Sequence, residues 1–236
     1  MTDTIGEAIG ETIGRTLVIG SAPRRHIPLP GTLNLRDVGG YPTRDGGSVR
    51  WRALLRSDAL HRVPAGAAVL HGLGLRTVID LRSHVEAEIA PSDLADLGLR
   101  TLHIPVLGGD LRTLPAELSG TYRHIVDECG AAIAAVIQRL CAPGALPALI
   151  HCSAGKDRTG IVVALILAAM GVPDDVIAAD YAFGGGRPEL ILEVLARVSS
   201  SCGSTGDYLL KHGLDRADLR TLRAALVEYS GQASLP

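Results

Sequence analysis

The chain has 236 residues, 47% of them apolar, and a formal net charge of -2 with both signs scattered along its length. That suffices for one large domain and is short for two, and the scatter of charge excludes a basic tract for nucleic acid. Aromatic residues are only 3%, so the core is built from Leu, Val, Ile and Ala, and 28 Gly with 13 Pro suit many short elements joined by tight turns.

In chain order, residues 1–20 carry a mild apolar pattern and SAPRRHIPLPG (21–31) a Pro-rich approach. Residues 1–25 are therefore expected to form a peripheral N-terminal segment of a single domain spanning 1–236. Residues 31–60 read as short strands and turns: LNLRD alternates, Gly39-Gly40 marks a bend, and PTRDGG (42–47) carries the Asp-Gly of a hairpin turn before SVRW. A short helix is expected over 65–73. TVIDLRS (77–83) and LRTLHIPVLG (99–108) read as strands, with helix or loop between them. Residues 114–141 are helical in composition, with a break expected near Gly120. ALIHC (148–152) is a strand after a Gly/Pro turn. Helices follow over 158–170, over 172–182 with Pro and two Asp in its first turn, over 188–201 after the GGG break at 184–186, and over 215–231. Strands alternating with longer helices predict an α/β fold: a central, mostly parallel sheet flanked by helices. In such folds ligands sit beyond the C-terminal ends of the strands. Two predicted strands, TVIDLRS and ALIHC, run into polar residues there.

Cys129, Cys141, Cys152 and Cys202 have no metal-site spacing, and a chain this long needs no disulfide scaffold, so free thiols and a cytoplasmic location are expected. No secretory leader is expected at the N-terminus. IVVALILAAMG (161–171) is too short for a transmembrane segment and reads as a buried helix.

The stretch HCSAGKDRTG (151–160) carries the chemistry. It is not a nucleotide-binding loop, because Asp157 follows the Lys where Ser or Thr is required and Ile150 stands where a Gly is required. No second His or Cys lies at metal-ligand spacing. A Cys152 nucleophile in an anion cradle explains the residues better. The interval from Cys152 to Arg158 lets the loop curl so that backbone N–H groups converge, and the following helix adds its N-terminal donors. A thiolate would repel an anion it merely bound, so its use there is attack on phosphorus. Arg158 supplies a planar fork for two phosphoryl oxygens. Ser153, Ala154 and Gly155 are small and let backbone approach the phosphate. Lys156 adds charge at the mouth. Thr159 is expected to donate its hydroxyl to Cys152, and His151 to orient the loop. Asp157 can cap the helix, pair with Lys156 or move a proton.

Cys-x5-Arg, with His before it and Thr-Gly after it, resembles the signature of the cysteine-dependent protein-tyrosine phosphatase superfamily. With NLRDVGGY (34–41), LLRSDAL (54–60) and VIDLRS (78–83), it resembles the bacterial tyrosine-protein phosphatase family, over roughly residues 30–230. The resemblance implies a phosphotyrosine protein phosphatase-like fold and hydrolysis through a cysteinyl-phosphate intermediate, with no metal and no cofactor. It implies phosphotyrosine proteins or phosphoinositides as partners, Lys156 being shared with members of broad substrate taste. The sequence does not indicate an oligomeric state. The Trp-Pro-Asp segment that carries the acid in many tyrosine phosphatases is not found, so the proton donor is sought among Asp80, favoured, and Asp157, Asp110 and Glu86. An ion pair of Asp80 with Arg82 or Arg36 is the competing reading. Asn34, Arg36 and Asp37 line the pocket or stabilise a turn, and Arg56 is expected to pair with Asp58.

Overall fold

The computed structural model describes residues 25–63, 68–107 and 115–229. The expectations for the N-terminal segment and for Asp110 lie outside these. The central sheet contains β1 (Arg36–Asp37), β3 (Leu54–Ser57), β6 (Ala148–His151), β4 (Thr77–Asp80) and β5 (Arg100–His103), in that spatial order. β3, β6, β4 and β5 run parallel, and only β1 is antiparallel, at the edge beside β3. The mostly parallel sheet expected from strand–helix alternation is therefore the observed one.

The strands read as continuous apolar runs because both sheet faces are covered. Successive side chains alternate between two cores. Leu54, Ile79, Ala148 and Ile150 face one cluster, built on helix α5 (Asp157–Ala169), while Leu55, Val78 and Leu149 face a smaller one with Leu60, Leu70 and Leu94. In α5 every residue from Thr159 to Leu167 is buried, which is why its sequence is apolar on all sides. Each buried Leu or Ile there contributes about 1.5–3 kcal/mol. Around α5 stand α3 (Leu118–Glu128), α6 (Asp174–Phe183), α7 (Pro188–Cys202) and α8 (Thr205–Lys211). α6 opens with Asp174 and Asp175 in its first turn, and α7 opens on Pro188, both favourable at a helix start.

Three details differ from the sequence reading. The 114–141 region breaks at Cys129, between α3 and α4 (Gly130–Leu140), rather than at Gly120. Gly120 is instead a close-packing position inside α3, where a Cβ would lie 2.6 Å from the Pro115 side chain. α8 is an extra short helix, capped by Ser204. The last helix, α9 (Arg216–Leu226), ends early because Val227–Glu228 leave it as β7 and pair with β2 (Ser48–Val49). The hairpin turn at 42–47 is present: Thr43 N–H donates to Gly47 O, and Gly46 has φ of 89°. The expected short helix is α1 (Ala68–Gly72), and α2 (His84–Ile89) follows β4.

The parallel register sets Ser57, His151 and Asp80 level with one another at the C-terminal edge of the sheet. β6 runs there into the Cys152–Arg158 loop, and α5 begins on that loop at Asp157. Among the described residues, no helix is long and apolar enough to cross a membrane.

Candidate active site

The loop's outward face is held carbonyl by carbonyl. His151 Nδ1 lies 3.3 Å from Cys152 O. Ala59 N–H donates to Ser153 O at 3.0 Å. Asn34 Nδ2 donates to Ala154 O at 3.3 Å and to Gly155 O at 3.2 Å. Arg56 Nη2 donates to Gly155 O at 3.0 Å and reaches Lys156 O at 3.5 Å. Lys156 O also receives the Gly160 N–H at 2.8 Å. In a trans peptide the C=O and the next N–H point opposite ways. Holding the carbonyls of 152–156 outward therefore turns the N–H groups of 153–157 inward. None of these amides donates to a backbone acceptor among the described residues. Converging donors at the start of a long helix make an anion site.

Gly155 explains why the loop can close this tightly. Its φ is +67°, and a Cβ there would lie 2.4 Å from the backbone of Ser57 and Asp58. Cys152 is 2% exposed and sits where β6 enters the loop.

Arg158 is aimed by Glu86. Its Nη1 and Nη2 donate to Glu86 Oε2 and Oε1 at 2.6 and 2.7 Å, a bidentate fork. That uses one edge of the guanidinium; Nη2 also lies 3.4 Å from Ser153 Oγ, and Nε makes no hydrogen bond among the described residues. Glu86 is itself fixed as the N3 residue of a capping box: its Oε2 accepts the Ser83 N–H at 2.8 Å, while Ser83 Oγ accepts from Glu86 N–H. It also accepts from the Ser153 hydroxyl. The Arg158 bonds hold the Glu86 carboxyl well below the ordinary carboxylate range. A carboxylate held so firmly in its charged form is a poor proton donor. The pattern Ser-x-x-Glu at 83–86 could have marked Glu86 as a helix-capping residue, though not as the partner of Arg158.

Asp80 makes the ion pair that competed with its acid role. Both oxygens accept from Arg82 Nε at 3.0 Å, Oδ1 accepts the Arg82 backbone N–H at 2.9 Å, and Oδ2 accepts from Arg82 Nη2 at 2.6 Å. Burial would raise this carboxyl, but Arg82 and the neighbouring His151 outweigh it and hold it below its ordinary value. His151 Nδ1 lies 3.7 Å from Asp80 Oδ1. Burial holds the imidazole below its ordinary value, so it is neutral near pH 7, with its Nδ1 proton facing oxygen acceptors. Asp80 thus faces His151, which faces the loop.

Asp157 makes no ion pair with Lys156 among the described residues; it accepts from the Tyr122 hydroxyl, which in turn contacts the Tyr181 hydroxyl. Burial, and then the bond to Asp157, push the Tyr122 phenol far up, so it donates. Thr159 is buried and its hydroxyl has no hydrogen-bond partner, so the bond to Cys152 expected of it is not made. Lys156 is half-buried and makes no ion pair among the described residues.

Arg56 does not pair with Asp58. It pairs with Asp180 at 2.7 Å, deep in the protein, while Asp58 accepts the N–H groups of Leu33 and Asn34. Asn34 contacts the loop, whereas Asp37 serves the adjacent turn through Gly39 N–H and Arg52 N–H. Arg36 bonds Asn34 and the Asp180 carbonyl. Beside the loop a cavity of about 190 Å³ is lined by Leu33, Asp58, Ala59, His61 and Arg62 together with Ser153 and Ala154 of the loop. Among the described residues no cluster of three or more His, Cys, Asp or Glu side chains is placed to hold a metal ion.

The chain matches a family model described as Tyrosine phosphatase family over residues 27–187. It is 35% identical over 190 residues to the triple specificity protein phosphatase PtpB of Mycobacterium tuberculosis, covering 65% of this chain and 67% of that protein. It is 32% identical over 139 residues to a tyrosine-protein phosphatase of Nostoc commune, covering 55% of this chain and 47% of that one. The chain therefore spans about half to two thirds of these relatives' length. Among solved structures, the core catalytic domain of a PP-IP phosphatase from S. cerevisiae overlays with a TM-score of 0.45 at 18% identity, covering 75% of this chain and 95% of that one. The matched segment runs from before Asn34 to beyond Asp180 and so takes in every residue that shapes the loop: the chain belongs to the tyrosine phosphatase family, in the cysteine-dependent superfamily whose members hydrolyse phosphomonoesters.

Proposed function

We propose that this protein is a protein-tyrosine phosphatase that works through a cysteinyl-phosphate intermediate. What supports the reading is the run of carbonyls from Cys152 to Lys156 held by partners outside the loop, which leaves its amides without backbone acceptors, together with the Glu86-held Arg158 at the loop's end. The Cys152 thiolate attacks phosphorus in line, forming the S–P bond as the P–O bond to the substrate breaks. The amides and Arg158 bind the equatorial oxygens, whose charge spreads in the transition state. The electron pair leaves on the substrate oxygen, which takes a proton from an aspartic acid. Water then attacks phosphorus, the S–P bond breaks, thiolate and phosphate are released, and the same carboxylate takes the water's proton.

For that proton we favour Asp157 over Asp80. Asp157 is part of the loop and holds one side-chain donor, Tyr122. Asp80 is bound by Arg82 through both oxygens, a geometry that suits positioning His151. The cavity between Leu33 and Arg62 suits the alcohol part of the substrate, and its apolar walls Leu33, Ala59 and Ala154 fit an aryl ring.

A second reading, activity on phosphoinositides, draws on His61 and Arg62 at that cavity and on Lys156 in the loop, none ion-paired among the described residues. Phosphate release from phosphotyrosine peptides, phosphoserine peptides and phosphoinositides separates the readings. The expected order has phosphotyrosine first, with Cys152→Ser lowering release by roughly 10³-fold or more on every substrate. Full activity in Cys152→Ser would refute the covalent route, and a preference for phosphoinositides would favour the second reading.

A further inference from the structure

We propose that the buried Arg56–Asp180 pair is a positioning device for the phosphate loop: it sets the facing of the Gly155 and Lys156 carbonyls and so aims the amides of Lys156 and Asp157 at the phosphoryl oxygens. This rests on reading residues 152–158 as an anion cradle.

Arg56 is 1% exposed and Asp180 3%. Arg56 divides its fork: Nη1 donates to Asp180 Oδ2 at 2.7 Å, and Nη2 serves Gly155 O at 3.0 Å and Lys156 O at 3.5 Å. The carboxylate therefore fixes the plane of the guanidinium, and the guanidinium fixes two peptide planes. A compact ammonium cannot span both tasks in this way. Asp180 is anchored in its turn. Tyr41 hydroxyl donates to its Oδ1 at 2.9 Å, and Arg36 Nε stands 3.6 Å from the same oxygen. Burial opposes the Asp180 charge, but Arg56 and Arg36 outweigh it and keep the carboxyl ionised.

The neighbour of Asp180 works on the same loop. Tyr181 contacts Tyr122, which donates to Asp157. Consecutive residues of α6 thus reach the loop by two routes, one to its outward carbonyls and one to its terminal carboxylate. Gly160 permits this packing: a Cβ there would lie 2.5 Å from the Tyr181 ring.

Stability does not account for the pair. Replacing a buried ion pair with apolar residues of similar volume is often neutral or stabilising, because desolvation offsets the attraction. Here Arg36 also leans on Asp180, so the change that keeps the buried charges balanced is Arg56→Lys, which retains a cation beside Asp180 and loses the fork that reaches the two carbonyls. A positioning role and a purely structural role therefore separate in one variant.

The test compares the full chain with Arg56→Met/Asp180→Leu and with Arg56→Lys. Three quantities are measured: melting temperature, inhibition by orthovanadate, and kcat and KM with p-nitrophenyl phosphate. Vanadate probes the cradle without needing the proton donor. The double variant is expected to lose about tenfold or more in vanadate affinity and kcat, and to melt lower as well, because Arg36 loses Asp180. Arg56→Lys, which keeps the buried charge, is expected to melt within a few degrees of the parent while vanadate affinity and kcat still fall several-fold, and it carries the test if the double variant does not fold. A folded variant with unchanged vanadate affinity and kcat overturns the positioning role. A parent protein that vanadate does not inhibit overturns the cradle itself.

Discussion

At the scale of single residues, Cys152 and Arg158 were legible because their chemistry depends on local spacing alone. Their supports were not. Glu86 lies 72 positions from Arg158, and Asp180 lies 124 from Arg56, and no periodicity links residues so far apart in one chain. Without them Arg56 was assigned to Asp58, its near neighbour in sequence. Two predictions belong here. Gly155→Ala places a Cβ against the Ser57 and Asp58 backbone, so the loop must shift. Displacement on the order of 1 Å costs about 10²-fold in kcat/KM, read with p-nitrophenyl phosphate. Glu86→Gln removes a charge that Arg158 holds below its ordinary value of 4.5. A carboxyl with a depressed folded-state pKa contributes stability above its unfolded value and loses it as pH falls towards the folded one. The parent's melting temperature should thus drop as pH is lowered below about 4.5, and more steeply than that of Glu86→Gln. Parallel curves would mean the Glu86–Arg158 contact contributes nothing.

At the scale of elements, strand ends matter more than strand interiors. β4 and β6 end level with each other, and each delivers candidate site residues just beyond the ladder: Ser83 and Glu86 from one, Cys152 to Arg158 from the other. The strands and most helices could be read from apolar runs and capping residues. The α3–α4 break was misplaced because Gly120 looked like punctuation, whereas packing against Pro115 requires it. β7 could not be foreseen, since its pairing with β2 is wholly non-local. Removing the α2 cap through Ser83→Ala should cost about 1 kcal/mol of stability. The Glu86 carboxylate keeps its bonds to Ser83 N–H, Ser153 and Arg158 in that variant, so kcat/KM should change by no more than a few-fold; a large kinetic loss would show that the cap itself holds Glu86 in place. The carboxylates are separated by leaving group. Asp157→Asn should cost about 10²-fold with alkyl phosphates and much less with p-nitrophenyl phosphate. Asp80→Asn should lower activity evenly across leaving groups and reduce the melting temperature, since Arg82 is left without its buried partner. The opposite pattern would make Asp80 the acid.

At the scale of the whole molecule, a parallel sheet covered on both faces brings three separated stretches, around Asn34 and Arg56, around Glu86, and around Asp180, onto one loop. The fold class was readable because alternating strands and helices admit few other arrangements. The convergence was not, since it depends on strand order and on buried side chains that span the core. Burial pushes the Cys141 thiol up to about 11 and raises Cys129 as well, which makes both poor nucleophiles. The most direct measurement is therefore mass spectrometry of the protein quenched in acid during turnover of p-nitrophenyl phosphate. The account predicts one phosphoryl group, carried by the peptide containing Cys152 and lost in Cys152→Ser. Turnover without any phosphorylated Cys152, or with the phosphoryl group on another residue, would contradict it.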